Sequence, residues 1–127
     1  MGLGFYGRSF TMANPNCMQA GCEFKEGALG GECTGDVCRA YIICRLAEIN
    51  KIIKNGGKQT FYEKDAVQVV TWDKDQWVSW DDQKTPKLKL DHPTQRCLGG
   101  IMVWAIGLDD ETLLEALGKS LTRRRRS

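Results

Sequence analysis

The sequence predicts an α/β fold in which two buried strands flank a longer segment of mixed helices and strands. The first is the glycine-rich, aromatic stretch at 3–10, which reads as a short strand that runs into a loop, and the second is the apolar run at 101–106, which two glycines precede. A near-continuous apolar run bounded by turn residues is typical of a buried parallel strand. We expect neither of the two strands to find a parallel partner within the chain.

The composition bounds the class of protein. A chain of 127 residues is long enough for one modest domain with its own core. The net charge of +2 comes from the arginines at 123–126, since without them 18 − 4 = 14 basic residues face 16 acidic ones. The body is therefore not a nucleic-acid surface, and no apolar run is long enough to span a membrane.

The two ends of the chain carry further expectations. No secretory leader opens the sequence, and Tyr6 stands where a myristoylation signal needs Ser or Thr. A strand-like beginning leads us to expect that the chain starts partway into a larger fold. The basic tail at 122–127 is expected to be disordered, with a nuclear address or a polyanion contact as the alternatives.

Helical periodicity begins after a loop-like region. Residues 11–38 are rich in Gly, Asn and Pro and are expected to be irregular. Residues 45–55 predict a helix, which Gly56 and Gly57 would end. Its apolar stripe consists of Leu46, Ile49, Ile52 and Ile53.

A β-hairpin is predicted next. Residues 66–72 are rich in β-branched side chains, 73–75 form a turn, and 76–80 return. Alternation places Val78 and Trp80 on one face of the return strand and Trp77 on the other.

Two helices are predicted in the last third of the chain. Thr85 and Pro86 favour a helix start with Thr as the N-cap, and Pro93 would break or kink that helix. A last helix at 110–120 would have Asp109 or Asp110 at its N-cap. Its apolar stripe consists of Leu113, Leu114, Leu117 and Leu121.

Six cysteines indicate a disulfide framework and an oxidising compartment. Zinc is the alternative, although His92 is the one imidazole that could join the thiolates. Six cysteines allow 15 pairings, and the spacing does not choose among them. The candidates are Cys17, Cys22, Cys33, Cys38, Cys44 and Cys97.

Four stretches in this order resemble the C-terminal part of the family 18 glycoside hydrolases, the chitinases. This resemblance to the chitinases covers residues 2–117. Within the family, the cysteine placement is similar to that of the secreted fungal group related to killer-toxin subunits. The stretches are Phe5-Tyr6-Gly7-Arg8-Ser9-Phe10, Cys33-Thr34-Gly35 ahead of Glu48-Ile49, Gln76-Trp77-Val78-Ser79-Trp80-Asp81-Asp82, and Cys97-Leu98-Gly99-Gly100-Ile101-Met102-Val103-Trp104-Ala105-Ile106.

The resemblance implies the C-terminal fragment of a TIM (β/α)8 barrel. Barrel strand 7 would lie at 1–10, and strand 8 with the closing helix at 97–121. Residues 11–96 would be the α+β chitinase insertion domain, with its cysteines near the start. Because a barrel needs eight strands, about 250 residues in all, the missing N-terminal part of the barrel is an expected partner.

The resemblance also implies a sugar-binding site. Trp104 would floor the subsite where the bond breaks, Tyr6 and Arg8 would hydrogen-bond the sugar, and Met102 would line the same subsite. Each has a structural alternative: core packing for Trp104 and Met102, and a salt bridge for Arg8. One Trp of the insertion segment could stack on a distal sugar, although packing is the better interpretation for Trp72, Trp77 and Trp80.

The implied chemistry is hydrolysis of β-1,4-linked N-acetylglucosamine polymers by substrate-assisted retention. The family's Asp-x-x-Asp-x-Asp-x-Glu run is absent from the sequence. We therefore name no catalytic residue, cofactor or metal, and expect the chain alone to be inactive.

The expected ligand is chitin or a chitooligosaccharide and the expected location is extracellular. The alternatives are a non-catalytic chitin-binding module and a small disulfide-rich secreted protein. Departures from the family pattern include Gly107 in place of Asp and the interruption at Pro93.

Overall fold

A computed structural model describes residues 1–27 and 43–124. Within them the chain forms strands, four α-helices and one short 3₁₀ helix. The strands are β1 (Gly2–Gly4), β2 (Gly7–Met12), β3 (Phe24–Gly27), β4 (Ile43–Cys44), β5 (Lys58–Tyr62), β6 (Val67–Trp72), β7 (Gln76–Trp80) and β8 (Met102–Trp104). The helices are α1 (Leu46–Lys54), α2 (Thr85–Lys89), α3 (Asp91–Gln95), the 3₁₀ helix (Ile106–Leu108) and α4 (Thr112–Arg124).

The two strands near the ends of the chain form a parallel ribbon. Gly2 of β1 is opposite Met102 of β8, and Gly4 is opposite Trp104. The expectation that neither strand has a parallel partner in the chain is therefore wrong, because each is the partner of the other. The short strand predicted at the start of 3–10 is found as β1, but most of the loop expected after it is strand β2, since the chain leaves the ribbon after Gly4 and enters a second sheet at Gly7.

The second sheet is antiparallel and has the strand order β3-β2-β7-β6-β5, with β4 also paired to β2. The predicted hairpin is confirmed as β6 and β7, and its turn has positive φ at Asp73 and Lys74. The irregular region predicted over 11–38 contains β3 and the end of β2. The sequence analysis missed β5, because three polar residues followed by two aromatic ones show no apolar alternation.

Helix α1 packs on this sheet and confirms the prediction for 45–55. The first core contains Cys44, Ile49, Ile52, Val70, Val78 and Trp80, with Trp72 packed against it. A Cβ atom on Gly7 would lie 2.6 Å from Ile49 Cδ1, so glycine allows the helix to approach β2. Gly56, with φ of +99°, follows the C-cap and ends the helix as predicted.

A second core joins the ribbon to the helices. It contains Leu3, Phe5, Leu46, Leu90, Leu113 and Leu117. Helix α1 therefore supplies Leu46 to this core and Ile49 and Ile52 to the first. The predicted stripe on α4 is narrower than expected, because Leu114 and Leu121 are exposed.

The capping role predicted for Asp109 is confirmed, but not its N-cap position, since α4 begins at Thr112. The Asp109 carboxylate accepts hydrogen bonds from the backbone N–H groups of Leu113 and Leu114, at 3.2 and 2.9 Å. Helix α4 continues to Arg124. Residues 122–124 of the tail that was expected to be disordered are therefore helical. Residues 125–127 lie outside the described residues.

The region around Pro93 contains two short helices, α2 and α3. The break falls at Leu90, and Pro93 lies in the first turn of α3, where its missing N–H needs no partner. Thr85 is the first residue of α2 and not its N-cap, which is Lys84. One carboxylate oxygen of Asp82 accepts hydrogen bonds from the backbone N–H groups of Lys84 and Thr85.

The cysteines confirm the disulfide prediction in part. Cys17 is bonded to Cys22, and the buried Cys44 is also disulfide-bonded. Cys97 is a free, exposed thiol, so its inclusion among the disulfide candidates is wrong. The candidates Cys33 and Cys38 lie outside the described residues.

Residues 1–27 and 43–124 contain neither a membrane-spanning helix nor a metal-binding cluster. No helix there is long and apolar enough to cross a membrane. The same residues hold no group of three or more His, Cys, Asp or Glu side chains arranged to bind a metal ion.

Candidate functional site

The parallel ribbon has two different faces. Leu3 of β1 is buried in the second core, and Val103 of β8 packs against the same core. Because side chains alternate along a strand, Met102 and Trp104 lie on the opposite face. There Met102 is 57% and Trp104 66% exposed.

Within the described residues this face of β8 is uncovered, which differs from the full burial that the sequence predicts for the strand. A near-continuous apolar run predicts a strand that is buried on both sides. Within the described part of the chain, helices and the second core cover only the face that carries Leu3 and Val103. An exposed indole beside an exposed thioether leaves an apolar surface open to a ligand or to another part of the fold.

Tyr6 lies directly beside this surface. Gly4 is opposite Trp104 in the ribbon, and a Cβ atom on Gly4 would lie 3.1 Å from Tyr6 Cε1. The phenol ring therefore covers the backbone strand next to Trp104. The peptide N–H of Phe5 also donates a hydrogen bond to the carbonyl oxygen of Trp104, at 2.9 Å. These contacts fix the turn that carries Tyr6 relative to the Trp104 backbone.

Arg8 extends the same cluster into the second sheet. Its guanidinium carbon lies 5.5 Å from the centroid of the Tyr6 ring, within range of a cation–π contact. Arg8 is exposed and forms no ion pair with the residues that the structure describes. The salt-bridge alternative for Arg8 is thus not observed, and its donors are free to bind a ligand.

The strand direction places the cluster at one end of the ribbon. Tyr6 follows β1 and Trp104 ends β8, so both lie at the carboxyl ends of two parallel strands. Parallel α/β folds build their binding sites at this end. The structure therefore brings the predicted residues Trp104, Tyr6 and Arg8 into one cluster. Met102 lies two residues before Trp104 on the same face of β8. Its Cε atom would lie 3.6 Å from a Cβ atom built on Gly2.

A polar contact that the sequence reading missed attaches α1 to the loop after β8. The Asn50 side-chain amide donates a hydrogen bond to an Asp110 carboxylate oxygen, at 2.7 Å. The adjacent Asp109 caps α4. The segment that follows Trp104 is therefore held both by α1 and by α4. Asn50 lies on the polar side of the predicted helix, and sequence periodicity gives such a position no partner.

Two carboxylates outside the cluster have lysine partners. The buried Asp81 carboxylate accepts a hydrogen bond from the ammonium group of Lys89, at 2.8 Å, which joins the end of β7 to α2. On the surface of α4, the hydrogen bond from Lys119 and its charge lower the pKa of Glu115. Neither carboxylate belongs to the Trp104 cluster.

A separate cleft lies away from this cluster. It has a volume of about 630 Å³ and runs between β5, α2 and α4. Phe61, Leu88 and Ala116 supply its apolar lining, and Lys84 and Lys119 are among its charged residues. It contains none of the predicted site residues, so this cleft and the sugar-site prediction point to different surfaces.

Comparison with known proteins identifies a family and a set of relatives. The family profile described as "Glycosyl hydrolases family 18" matches residues 1–109. "Putative chitinase 1" of Margaritifera margaritifera is 30% identical over 112 residues, which are 88% of this chain and 22% of that protein. The chain thus spans about a fifth of that relative.

Solved structures agree with the fold. A GH18 chitinase mutant from Cycas revoluta in complex with (GlcNAc)4 superposes with a TM-score of 0.74 at 21% identity, covering 95% of this chain and 32% of that one. Human YKL-39, described as a pseudo-chitinase with retained chitooligosaccharide binding properties, superposes with a TM-score of 0.76 at 27% identity. That match covers 96% of this chain and 34% of the human chain.

Proposed function

Because the chain belongs to glycosyl hydrolase family 18, we propose that it supplies substrate-binding residues to a chitinase-type glycoside hydrolase. The proposed ligand is a β-1,4-linked N-acetylglucosamine oligomer. The observation that carries the proposal is the exposed Trp104 indole, held beside Tyr6 and Arg8 at the carboxyl end of the parallel ribbon. The Cycas revoluta relative, crystallised with (GlcNAc)4, supports this class of ligand.

Trp104 is proposed as the floor of a sugar subsite. The C–H face of a pyranose is apolar, and a flat indole buries it without presenting unpaired polar groups. Covering about half of such a ring is worth on the order of 1–3 kcal/mol by apolar area. Met102, on the same face of β8, would extend this apolar floor.

Tyr6 and Arg8 are proposed to orient the sugar. A phenol hydroxyl both donates and accepts hydrogen bonds, and a guanidinium offers a fixed fork of donors. Hydroxyl and acetamide oxygens of N-acetylglucosamine are acceptors that suit such donors. The Tyr6 ring also holds the Arg8 guanidinium, so the two side chains would act together.

The place of the chain in a complete barrel is part of the proposal. Strands β1 and β8 would be neighbouring barrel strands 7 and 8, and their Met102–Trp104 face would point into the barrel. The remaining strands, and the acid that protonates the leaving group, would come from the N-terminal part of the barrel. We therefore propose that the 127 residues alone release no product from chitooligosaccharides.

Secretion and the fungal subgroup remain proposals. The Cys17–Cys22 disulfide supports an oxidising compartment, since such bonds persist outside the reducing cytosol. The fungal placement is based on the cysteine spacing of the sequence.

A binding experiment tests the proposed function. The full chain is titrated with (GlcNAc)4 while tryptophan fluorescence or amide chemical shifts are followed. Trp104→Ala should weaken binding about tenfold or more, the loss expected when an aromatic face is removed. Phe61→Ala, which removes another exposed aromatic on β5, is the matched control. Equal affinity of Trp104→Ala and the parent chain would overturn the proposal.

A non-catalytic sugar-binding role is the second candidate. It is favoured by the likeness to human YKL-39, which is described as binding chitooligosaccharides as a pseudo-chitinase. Joining the chain to the N-terminal part of its own barrel separates the two roles. Release of shorter oligomers by the joined protein supports the hydrolase, and tight binding without release supports the binding module.

A further inference from the structure

Helix α1 supports the strand that carries one half of the Trp104 cluster. Ile49 packs under β2, because a Cβ atom on Gly7 would lie 2.6 Å from Ile49 Cδ1. Gly7 is the residue between Tyr6 and Arg8, so this contact lies directly behind the backbone that carries both side chains. Ile49 itself is completely buried in the first core. The second sheet and α1 are therefore one packed body at this point.

The next residue of α1 reaches the other half of the cluster. The Asn50 side-chain amide donates a hydrogen bond to Oδ2 of Asp110, at 2.7 Å. Asp110 lies at the end of the loop that follows Trp104 and β8. The two partners are 60 residues apart in the sequence, so the bond joins parts of the chain that no local turn connects. Neighbouring residues of one helix thus contact both halves of the cluster.

The loop between Trp104 and α4 is held by its own hydrogen bonds. The backbone N–H of Leu108 donates to the carbonyl oxygen of Ala105, at 3.0 Å. The N–H of Asp109 donates to the carbonyl oxygen of Ile106, at 3.1 Å. The Asp109 carboxylate then caps α4. The ribbon, the loop and α4 therefore form a second body, and its place relative to Arg8 depends on contacts with α1.

Asp110 has one carboxylate oxygen left for the Asn50 amide. The other, Oδ1, accepts hydrogen bonds from the backbone N–H and the hydroxyl of Thr112. One helical turn before Asn50, Leu46 lies in the same core as Leu113 of α4. Residues four apart on a helix lie on the same side. Apolar packing and a directional hydrogen bond therefore join α1 to the start of α4 side by side.

From this arrangement we infer that Asn50 is a positioning residue for the sugar site. The inference rests on the proposed function: Asn50 contacts no sugar, but its bond to Asp110 sets the place of Trp104 in the ribbon relative to Arg8 in the second sheet. Without the bond, the two bodies would keep their apolar contact and lose its directional restraint. A sugar that binds both side chains would then have to restore their spacing, which lowers its affinity.

Titration of the full chain with (GlcNAc)4 tests the inference. Asn50→Ala should weaken binding about threefold to tenfold, the range expected for one hydrogen bond to a charged group. Asn50→Asp should weaken it further, because a second carboxylate would face Asp110. Lys54→Ala, which changes an exposed residue of the same helix, is the matched control and should bind like the parent. Equal affinity of Asn50→Ala and the parent would overturn the inference.

A reciprocal exchange separates the hydrogen bond from other effects of the substitution. In Asn50→Asp/Asp110→Asn the amide and the carboxylate change places, so the bond can form in the opposite direction. The amide oxygen at position 110 can still accept from Thr112. The double variant should regain the affinity of the parent, and persistent weak binding would contradict the positioning role.

A double-mutant cycle with Arg8 shows whether Asn50 acts through the spacing of the cluster. Once Arg8→Ala has removed the guanidinium, its distance from Trp104 no longer matters. Asn50→Ala should then cost no further affinity. A role confined to general stability would lower affinity by the same factor with and without Arg8, and this additive result would count against the inference.

Failure of the positioning role differs from failure of the proposed function. If Asn50→Ala keeps full affinity while Trp104→Ala loses it, Asn50 is not a positioning residue and the proposed function stands. If Trp104→Ala binds (GlcNAc)4 as tightly as the parent, the proposed function is wrong, and the positioning role with it.

Discussion

The backbone N–H of Phe5 donates a hydrogen bond to the carbonyl oxygen of Trp104, at 2.9 Å. This bond extends the parallel ribbon by one step beyond Gly4 and connects the turn that carries Tyr6 to the strand that carries Trp104. Phe5 itself is buried in the second core, so the turn is anchored from both sides. The relative position of Tyr6 and Trp104 is therefore set by backbone and core, and a ligand would not have to assemble it.

Gly4 is expected to be a binding determinant that contacts no ligand. Gly4→Ala would put a methyl group 3.1 Å from Tyr6 Cε1 and push the phenol ring away from its place beside Trp104. We expect (GlcNAc)4 affinity to fall about threefold to tenfold, a loss of about 1 kcal/mol, with little change in unfolding temperature. Isothermal titration and a thermal melt measure the two effects.

Gly2→Ala is the control for this substitution, because the added methyl would lie 3.6 Å from Met102 Cε, an ordinary contact. Equal affinity losses for Gly2→Ala and Gly4→Ala would contradict a specific role for the Tyr6 ring.

Gly7 is expected to determine stability. A methyl group there would lie 2.6 Å from Ile49 Cδ1 and 2.8 Å from Val78 Cγ2, both inside the first core. Gly7→Ala should lower the free energy of unfolding by about 1–3 kcal/mol, the usual cost of overpacking. Urea unfolding followed by circular dichroism gives the value. Gly107→Ala, where the methyl meets open space, should unfold like the parent.

Asp109 is expected to stabilise α4 through its cap. Asp109→Ala removes the acceptor of the Leu113 and Leu114 N–H groups and should cost about 1 kcal/mol of unfolding free energy. A larger change in the amide exchange rates of α4 than of α1 would locate the effect.

Glu115 offers a matched carboxylate on the same helix. It is exposed and paired with Lys119, so Glu115→Gln should change stability far less than Asp109→Ala. Because Lys119 lowers the pKa of Glu115, whatever the pair adds is present above the carboxyl's unfolded pKa and lost as pH falls through the folded value. Stability that is equally reduced by both substitutions would refute the capping role.

Cys97 should be the reactive thiol among the cysteines that the structure describes. It is free and exposed, whereas Cys17, Cys22 and Cys44 are disulfide-bonded. Native protein treated with iodoacetamide should carry the label on the peptide that contains Cys97, as read by mass spectrometry after digestion. Label on Cys17 or Cys22 without prior reduction would show that their bond is not formed.

Local patterns in the sequence predict the strongest elements well. Helix α1 and the β6–β7 hairpin follow from a sustained apolar periodicity and from a turn rich in Asp, which tolerates positive φ. The capping role of Asp109 also follows, although the helix begins later than predicted, because capping depends on nearby residues alone. These features need no knowledge of distant partners.

Other features depend on distant parts of the chain and are beyond such patterns. The break after Gly4 occurs because Phe5 enters the core while Gly7 joins another sheet, and both partners lie far along the sequence. The exposure of Trp104 depends on which elements cover β8, which its own apolar run does not reveal. Strand β5 exists through its pairing with β6, although its own residues do not alternate between apolar and polar.

Helix α1 contributes Leu46 to one core and Ile49 and Ile52 to the other. A helix shared in this way makes the two cores thermodynamically interdependent, because neither can lose its packing without exposing part of the same nine-residue segment. The ribbon and the antiparallel sheet should accordingly melt in a single cooperative calorimetric transition, with equal van't Hoff and calorimetric enthalpies.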